Sequence, residues 1–233
     1  MEEKLRLEIK ACGCELLERF LPRLVVAASS EESISKLIHL AGPKRLRLIA
    51  TGTGSSFPAN YQPPPNTIFL LTLGLNAILE LRFDDAMAVL QAGTLVSALR
   101  EKIEGTALEL PSWVADYAGT MGGAMLGPDA AGRRHAEMRR RLLGVELVDA
   151  RGQMVRFGGC TVKNVAGYDY WTFLVGTAGR FGVLTKLILN LERMPVFTAE
   201  TSTQRPGGKT DEAHRWIIAN LEKRLDPDGI FAR

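Results

Sequence analysis

The sequence predicts an α+β fold, because the pattern of apolar residues changes part-way along the chain. In the first part, short apolar runs of strand length alternate with stretches of helical periodicity, as at 23–28 and 34–41. From about residue 78, short strands follow one another in pairs around the polar turns Asp84-Asp85 and Ala150 to Gly152. Alternation is typical of parallel strands with helices, and paired strands are typical of antiparallel hairpins. We therefore expect one domain, or two tightly joined subdomains, of mixed architecture.

Composition excludes several classes of protein. The chain has 233 residues, of which 46% are hydrophobic, so it can bury a substantial core. Its apolar runs are shorter than the roughly 18 to 20 residues of a membrane helix, and "MEEKLRLEIK" does not resemble a leader. We expect no transmembrane segment and a cytoplasmic location. A net charge of +3 does not indicate a nucleic-acid partner, and three cysteines without ligand spacing predict buried thiols and no metal site.

The first elements are predicted from periodicity. Apolar residues recur at helical spacing over 2–20, which predicts an amphipathic helix with Cys12 in its apolar stripe. "RLVVAA" predicts a buried strand. Ser29 and Glu32 fit a capping box for a helix that Gly42 and Pro43 end. His39 on that helix has no Cys, Asp or His at ligand spacing, so we interpret it as a surface or packing histidine.

A first glycine-containing loop follows the predicted strand 46–50, in the stretch "LRLIATGTGSSFP". Glycine allows positive φ and close approach of the backbone, and Ser and Thr add hydroxyl donors, so a strand followed by such a loop can bind phosphate. The loop is neither GxGxxG nor a P-loop. By itself it fits an ordinary loop as well as a phosphate site.

A second glycine system follows a predicted helix over 94–105, which Gly105 closes. More than half of the 23 glycines lie between 119 and 182, beginning with "AGTMGGAMLG". Such clustering favours a backbone surface shaped around a ligand over scattered turns. The region ends in a predicted buried strand, "FGVLTKLILNLE". Two separated Gly/Thr loops would suit a pyrophosphate.

"TGTGSS", "AGTMGGA", "GVELVDARGQMVRFGG" and "KNVAGYDYWTFLVGTAGRFGVLT" together resemble the FAD-binding domain of the vanillyl-alcohol oxidase and p-cresol methylhydroxylase type. Within that type, they are similar in particular to the FAD-binding subunits of bacterial glycolate oxidases. The resemblance covers roughly residues 24 to 194, and its last block is the most specific. It implies two α+β subdomains with FAD extended between them.

The resemblance also implies site residues. Gly182 and Val183 match positions where main-chain groups face the cofactor. A further loop of the family is matched by Lys163, Asn164, Tyr168 and Asp169. We expect these four side chains to hold that loop in place and not to touch substrate. Ser55 stands where some relatives carry a histidine bonded to the flavin, so FAD should be non-covalent. No catalytic residue is assigned. The two pyrophosphate loops, which would bind through backbone amides, are Thr51, Gly52, Thr53, Gly54, Ser55 and Ser56, and then Ala118, Gly119, Thr120, Gly122 and Gly123.

The stretch "RRHAEMRRRLLG" departs from the family pattern. Arg140 occupies a position where relatives often carry an acidic residue, and the preceding loop is about two residues shorter. The arginines between 133 and 141, with His135, form the marked basic patch of the sequence. They fit a solvated helix face, a counter-charge for the diphosphate, or a docking surface for an acidic partner.

These features predict three parts: an FAD-binding domain over 1–194, a linker over 195–210, and a C-terminal helix and tail over 211–233. The tail resembles the closing segment of full-length relatives, so we expect a chain that is complete but lacks their substrate cap domain. Neither His135 nor His214 lies in a motif for a base. The resemblance then implies an FAD-binding subunit of a glycolate-oxidase-like 2-hydroxyacid dehydrogenase.

Such a subunit would work in a hetero-oligomer with a catalytic flavoprotein subunit and an iron-sulfur subunit, which could hold it at a membrane surface. It would not be active alone, and Trp216 with the arginines of 133–141 would contact a partner. The alternatives are a structural subunit with weak or no FAD, and a stand-alone flavin reductase.

Overall fold

The computed structural model describes residues 2–18, 23–57, 60–127, 133–159, 170–193, 226 and 229–231. Two β-sheets organise these residues, each with helices packed on it. Within the described ranges, no helix has both the length and the apolar character that crossing a bilayer requires.

The first sheet has four strands in the order β1-β2-β4-β3, with β1 antiparallel to β2 and the other three mutually parallel. Inward-facing residues such as Val26, Leu48 and Leu70 are fully buried against Ile34 and Leu37 of the second helix. The elements are α1 (Glu2–Ala11), β1 (Cys14–Leu16), β2 (Leu24–Ala28), α2 (Glu31–Ala41), β3 (Arg47–Thr51) and β4 (Thr67–Leu71).

The second sheet has five antiparallel strands in the order β5-β6-β10-β8-β9. One face carries the larger core, which includes Leu90, Leu99 and Leu187. A separate two-stranded ladder pairs β7 (Leu108–Glu109) with β11 (Glu192–Arg193). The strands of the five-stranded sheet and the helices of this part of the chain are β5 (Ile78–Arg82), β6 (Met87–Gln91), α3 (Val96–Ile103), α4 (Ser112–Ala115), α5 (Met121–Leu126), α6 (Arg133–Arg141), β8 (Leu142–Val148), β9 (Met154–Gly158), a 3₁₀ turn (Tyr170–Leu174) and β10 (Val183–Asn190).

The predicted helix over 2–20 is wrong beyond Ala11. Gly13 has a φ of +80°, which glycine adopts readily and which ends the helix. The chain then turns into β1, where Cys14 pairs with Ala28 of β2. Cys14 and Leu16 are buried on either side of an exposed Glu15, the period of two expected for a strand.

The predicted capping box is displaced by one residue. Ser30 is the N-cap of α2; its side chain accepts from the Ser33 amide at 3.1 Å, and the Ser30 amide donates to the Ser33 hydroxyl at 3.4 Å. A serine at N3 therefore takes the role expected of Glu32. The helix predicted over 94–105 is α3, two residues shorter at each end, and Gly105 follows it with a φ of +74°.

The two sheets meet along α2 and the β8–β9 turn. Ser35 donates from its hydroxyl to the Gly152 carbonyl at 2.6 Å, and a Cβ on Gly152 would lie 2.3 Å from the His39 ring. Val148, Ala150 and the first residue of β10 belong to the core of the first sheet. His39 is exposed and lies against this turn, within the predicted surface or packing role.

A glycine makes the second contact between the sheets. Gly93 follows β6, and a Cβ there would lie 1.9 Å from the Thr72 carbonyl oxygen, which follows β4. The Gly93 amide donates to the Leu75 carbonyl at 2.7 Å. No side chain fits at this position, so the ends of β4 and β6 are held together main chain to main chain.

The described part of the C-terminal tail extends the first sheet. Phe231 forms a parallel bridge with Leu48 of the edge strand β3, and Ile230 and Phe231 are both buried. The Asp226 carboxylate accepts from the amides of Ile230 and Phe231 at 2.8 and 2.9 Å. The predicted linker over 195–210 and helix over 211–225, including Trp216 and His214, lie outside the described residues.

Candidate functional site

A cavity of about 190 Å³ lies where the carboxyl ends of β3 and β4 face the end of β6 and the start of α5. Parallel strands β3 and β4 end at the same edge, and the Thr72 amide donates to the Thr51 carbonyl across that edge at 2.9 Å. Such edges are common ligand sites in parallel sheets, because the loops leave the sheet there. Three segments line most of the cavity: 51–57, 120–127 and 178–180.

The first loop leaves β3 with little room between it and α5. Gly52 is buried, and a Cβ there would lie 2.1 Å from the Thr120 Oγ1. Gly54 has a φ of +79°, which turns the chain back along the cavity rim. The Thr53 hydroxyl donates to the Ser55 hydroxyl at 2.9 Å, and both side chains are exposed. The loop therefore presents hydroxyl groups and a bare backbone to the cavity.

The second loop begins the short helix α5. Thr120 is its N-cap, and its Oγ1 accepts from the Gly123 amide at 3.1 Å. The amides of Met121 and Gly122 donate to the carbonyls of Thr94 and Ala92, each at 2.8 Å. The amides of Gly122 and Gly123, which were expected to bind phosphate, are thus already hydrogen-bonded within the protein. Docking of α5 on the end of β6 explains this difference.

A third loop, residues 175–182, closes the cavity from the side of β10. The amides of Gly176 and Ala178 donate to the last carbonyls of α5, at Met125 and Leu126. Gly176, Ala178 and Gly179 have φ values of +77°, +54° and +76°. Ala178 thus adopts a conformation in which side chains are rare. These bonds and turns hold the main chain of Arg180 at the cavity wall.

Aromatic side chains form the remaining wall. Phe57 and Tyr61 line the cavity, with ring centroids 4.9 Å apart, and Phe57 meets Phe69 edge-on at 5.7 Å. Tyr117 lines it from the opposite loop, and its hydroxyl lies 3.2 Å from the Ser56 hydroxyl. An aromatic wall beside a glycine-rich floor suits a ligand that has a planar ring system and a polar chain.

The lining fits part of a dinucleotide. Among the described residues, no carboxylate, histidine or cysteine lines the cavity, and Arg180 is the one lining residue with a full charge. Because Gly52 and Gly123 have no side chain, the two loops approach each other closely with the main chain facing the cavity. The volume is below the about 300–1,000 Å³ of pockets that enclose a drug-sized ligand, so the cavity can enclose only a section of a molecule as long as FAD.

The structure brings most of the predicted site residues together. Gly182 instead packs against β8, where a Cβ on it would lie 2.6 Å from the Val148 carbonyl oxygen, and Val183 is fully buried in the first core. Ala118 and Gly119 lie beside Tyr117 and outside the cavity wall. Residues 163, 164, 168 and 169 lie outside the described ranges. The predicted residues that line the cavity are Thr51, Gly52, Thr53, Gly54, Ser55, Ser56, Thr120, Gly122 and Gly123.

Several lining residues were missed, namely Tyr117, Arg180, Phe57 and Tyr61. Arg180 stands among glycines in "GTAGRFG", and a lone charge in such a loop is a signal that could have been used. The aromatic residues carry no comparable signal, because apolar side chains near a strand end serve the core equally well.

The basic patch lies elsewhere. Arg139 donates from Nε to the Thr172 carbonyl at 3.1 Å, and burial lowers the pKa of its guanidinium. Arg141 pairs with Glu192, whose pKa is raised by burial despite that cation. Arg140 is exposed. None of these three arginines lines the cavity, so they do not support the diphosphate counter-charge interpretation of the patch.

Comparison with known proteins identifies the family. The model of the FAD binding domain family matches residues 22–158, which is more than half of the chain. The chain belongs to this FAD-binding family. The match spans β2 to β9, and so includes the first two loops of the cavity but not the lining residues 178–180. It confirms the predicted family and its cofactor, FAD.

Relatives of this FAD-binding chain include three named hydroxyacid enzymes. The glycolate oxidase subunit GlcD of Bacillus subtilis is 26% identical over 178 residues, covering 75% of this chain and 38% of the relative. D-Lactate dehydrogenase of Archaeoglobus fulgidus is 30% identical over 205 residues, covering 87% and 45%. D-2-Hydroxyglutarate dehydrogenase of Stutzerimonas stutzeri is 24% identical over 192 residues, covering 80% and 41%. The chain spans less than half the length of these relatives.

A solved structure confirms the fold. Alkyldihydroxyacetonephosphate synthase superimposes with a TM-score of 0.59 at 19% identity, covering 75% of this chain and 32% of the synthase. At that identity, the likeness concerns the fold of the FAD-binding domain.

Proposed function

We propose that this chain is the FAD-binding subunit of a glycolate-oxidase-like 2-hydroxyacid dehydrogenase complex. Bound FAD would take up and pass on electrons, while the protein supplies its position and electrostatic surroundings. The observation that carries the proposal is the cavity itself. Loops from two sheets converge there on a glycine-rich, carboxylate-free wall with one guanidinium among the described lining residues.

The substrate class rests on the relatives. Glycolate, D-lactate and D-2-hydroxyglutarate, which appear in their names, share a hydroxyl group beside a carboxylate. Oxidation of such a substrate removes a proton from the hydroxyl and a hydride from the carbon. A protein base usually takes that proton.

The described cavity wall offers no such base, because its titratable side chains are the phenols of Tyr61 and Tyr117 and the guanidinium of Arg180. We infer that the base comes from outside the described cavity wall. A catalytic flavoprotein subunit could supply it, and an iron-sulfur subunit would accept the electrons. Hydroxyacid oxidation would then need the assembled hetero-oligomer.

The cofactor is proposed to bind without a covalent bond. Ser55 is exposed at the end of the first loop, and no histidine or cysteine lines the described cavity wall. Acid precipitation should therefore release flavin into the supernatant. Colour that remains with the denatured pellet would contradict non-covalent binding.

The visible absorption spectrum of the purified chain tests the proposal, after incubation with FAD and removal of the excess. Flavin bands at near one FAD per chain are expected. A chain that stays colourless would overturn the proposed cofactor role and would favour a structural subunit. That alternative has one observation in its favour, the internal hydrogen bonds of the Gly122 and Gly123 amides.

A second assay tests the need for partners. The FAD-loaded chain is given glycolate or D-lactate and an artificial electron acceptor, alone and with the proteins that copurify from its native host. Turnover is expected only with the copurified proteins. A lone chain that turns over at ordinary enzyme rates, about 1 to 1000 per second, would refute the subunit assignment.

A further inference from the structure

We propose that Arg180 supplies the positive charge that pairs with the diphosphate of the cofactor, an assignment that rests on the proposed FAD-binding function. Sequence reasoning placed this role on backbone amides of the glycine loops. The structure leaves fewer of those amides available and places Arg180 among the residues that line the same cavity. The assignment concerns this chain's own side chain in a loop where small residues otherwise dominate.

The amides that begin α5 already have hydrogen-bond partners within the protein. A helix N-terminus binds anions through amides that have no partner inside the helix. In α5, the first three amides, those of Met121, Gly122 and Gly123, donate to Thr94, Ala92 and Thr120 within the protein. An anion in the cavity would have to displace these bonds or find another donor. The second loop therefore contributes shape more than positive charge.

The charge of the wall favours an anion. Of the described lining residues, Arg180 carries the one full charge, and none is a carboxylate. Its side chain is half-buried, so the guanidinium acts in a medium less polar than bulk water, where its attraction for an anion is stronger. A guanidinium also matches phosphate oxygens with paired N–H donors.

Hydrogen bonds hold the loop that carries Arg180. Its amide donates to the Thr177 carbonyl at 3.3 Å, and the Thr177 hydroxyl donates to the Leu174 carbonyl at 2.7 Å. Bonds from Gly176 and Ala178 fasten the loop to the end of α5. Little main-chain freedom remains to be lost when a ligand binds, which favours affinity.

The experiment measures the affinity of the purified full chain for FAD and for riboflavin, which has the flavin ring but no phosphate. Arg180→Gln removes the charge and keeps similar length, and Arg180→Lys keeps the charge without the paired donors. Arg151→Gln is the matched control, since Arg151 is exposed on the β8–β9 turn and its substitution makes the same change in net charge away from the cavity. Each affinity is measured at low and high salt.

Arg180→Gln is expected to weaken FAD binding about 10- to 100-fold, the range for a lost hydrogen bond to a charged group, and to leave riboflavin binding unchanged. Arg180→Lys should fall between it and the native chain. The affinity of the native chain should decrease with salt more steeply than that of Arg180→Gln, because screening acts on the lost pair. Arg151→Gln should bind FAD like the native chain.

Two results would overturn the assignment while leaving the proposed function intact. One is a native chain that binds FAD and an Arg180→Gln variant that binds it equally well with the same salt dependence. The other is an equal loss of FAD and riboflavin affinity, which would mean that Arg180 acts through shape. A native chain that binds no FAD would overturn the proposed function and the assignment together.

Discussion

Gly52→Ala should force apart the two loops that form the cavity. The added Cβ would lie 2.1 Å from Oγ1 and 2.7 Å from Cγ2 of Thr120, so the threonine hydroxyl must shift by about 1.4 Å to restore a contact of about 3.5 Å. Thr120 is only 1% exposed and is the N-cap of α5, so a shift of its side chain disturbs the start of that helix. Gly52 is not at positive φ, so the effect is purely steric.

The magnitude follows from two terms. Overpacking a filled site costs about 1–3 kcal/mol, and a shifted Thr120 loses its N-cap bond to Gly123, worth about 1 kcal/mol. We expect the free energy of unfolding to fall by about 2–4 kcal/mol in total, or roughly 5–15 °C in Tm for a chain of this size. FAD affinity should fall as well.

Thermal unfolding followed by circular dichroism measures the effect, in the native background and with Thr120→Gly. The glycine removes the three atoms that would lie nearest the new Cβ, so Gly52→Ala should cost much less there. Gly54→Ala is the control: its Cβ meets nothing within 4 Å, and its cost, set by a φ of +79°, should be the same in both backgrounds. An equal cost of Gly52→Ala in both backgrounds would refute the steric argument.

Three further predictions follow from buried or crowded positions. Gly123→Val should lower FAD affinity by at least about 10-fold with little change in Tm, because its Cβ would lie 3.0 Å from the Tyr117 hydroxyl at the cavity wall. A fluorescence titration measures the affinity, and an unchanged value would mean that FAD binds elsewhere. Phe231→Ala should cost about 3–5 kcal/mol in urea unfolding, since the ring is 7% exposed in the first core, and a cost below about 1 kcal/mol would contradict that packing. Burial raises the pKa of the Cys14 thiol from 9.0 to about 11, so the thiol ionises at lower pH in the unfolded chain. The free energy of unfolding should therefore fall as pH rises from 9 towards 11. Iodoacetamide should label Cys14 slowly at pH 8 until the chain is unfolded, and equal labelling of native and unfolded chains would be inconsistent with the burial.

Local chemistry explains which parts of the site could be predicted. Gly54 and Thr120 follow from sequence, because a turn at positive φ and a helix N-cap each depend on a few adjacent residues. Arg180 and Tyr117 reach the cavity only through the docking of α5 and of the 175–182 loop, which no local pattern encodes. The same docking directs the Gly122 amide to Ala92, which a motif cannot reveal.

In the fold, too, features set by adjacent residues were predicted and features set by distant pairing were not. Hairpins at Asp84-Asp85 and Ala150 to Gly152 were predicted correctly, because turn residues and alternating strands are short-range signals. The helix over 2–20 was extended too far, because the spacing of Cys12 and Leu16 fits a helix while Gly13 interrupts it. Pairing of β1 with β2 overrode the periodicity, and that pairing is a tertiary event.

The main-chain contact of Gly93 with Thr72 bears on how the site could be redesigned. The separation of the ends of β4 and β6 depends there on two peptide backbones in contact, and not on the volume of a side chain. Lining residues such as Tyr117 and Arg180 can therefore be exchanged to change ligand preference without altering the separation of the walls. Gly93 itself is the position to leave untouched in any mutant library, because a single methyl group there would clash with the Thr72 carbonyl oxygen and push the ends of β4 and β6 apart.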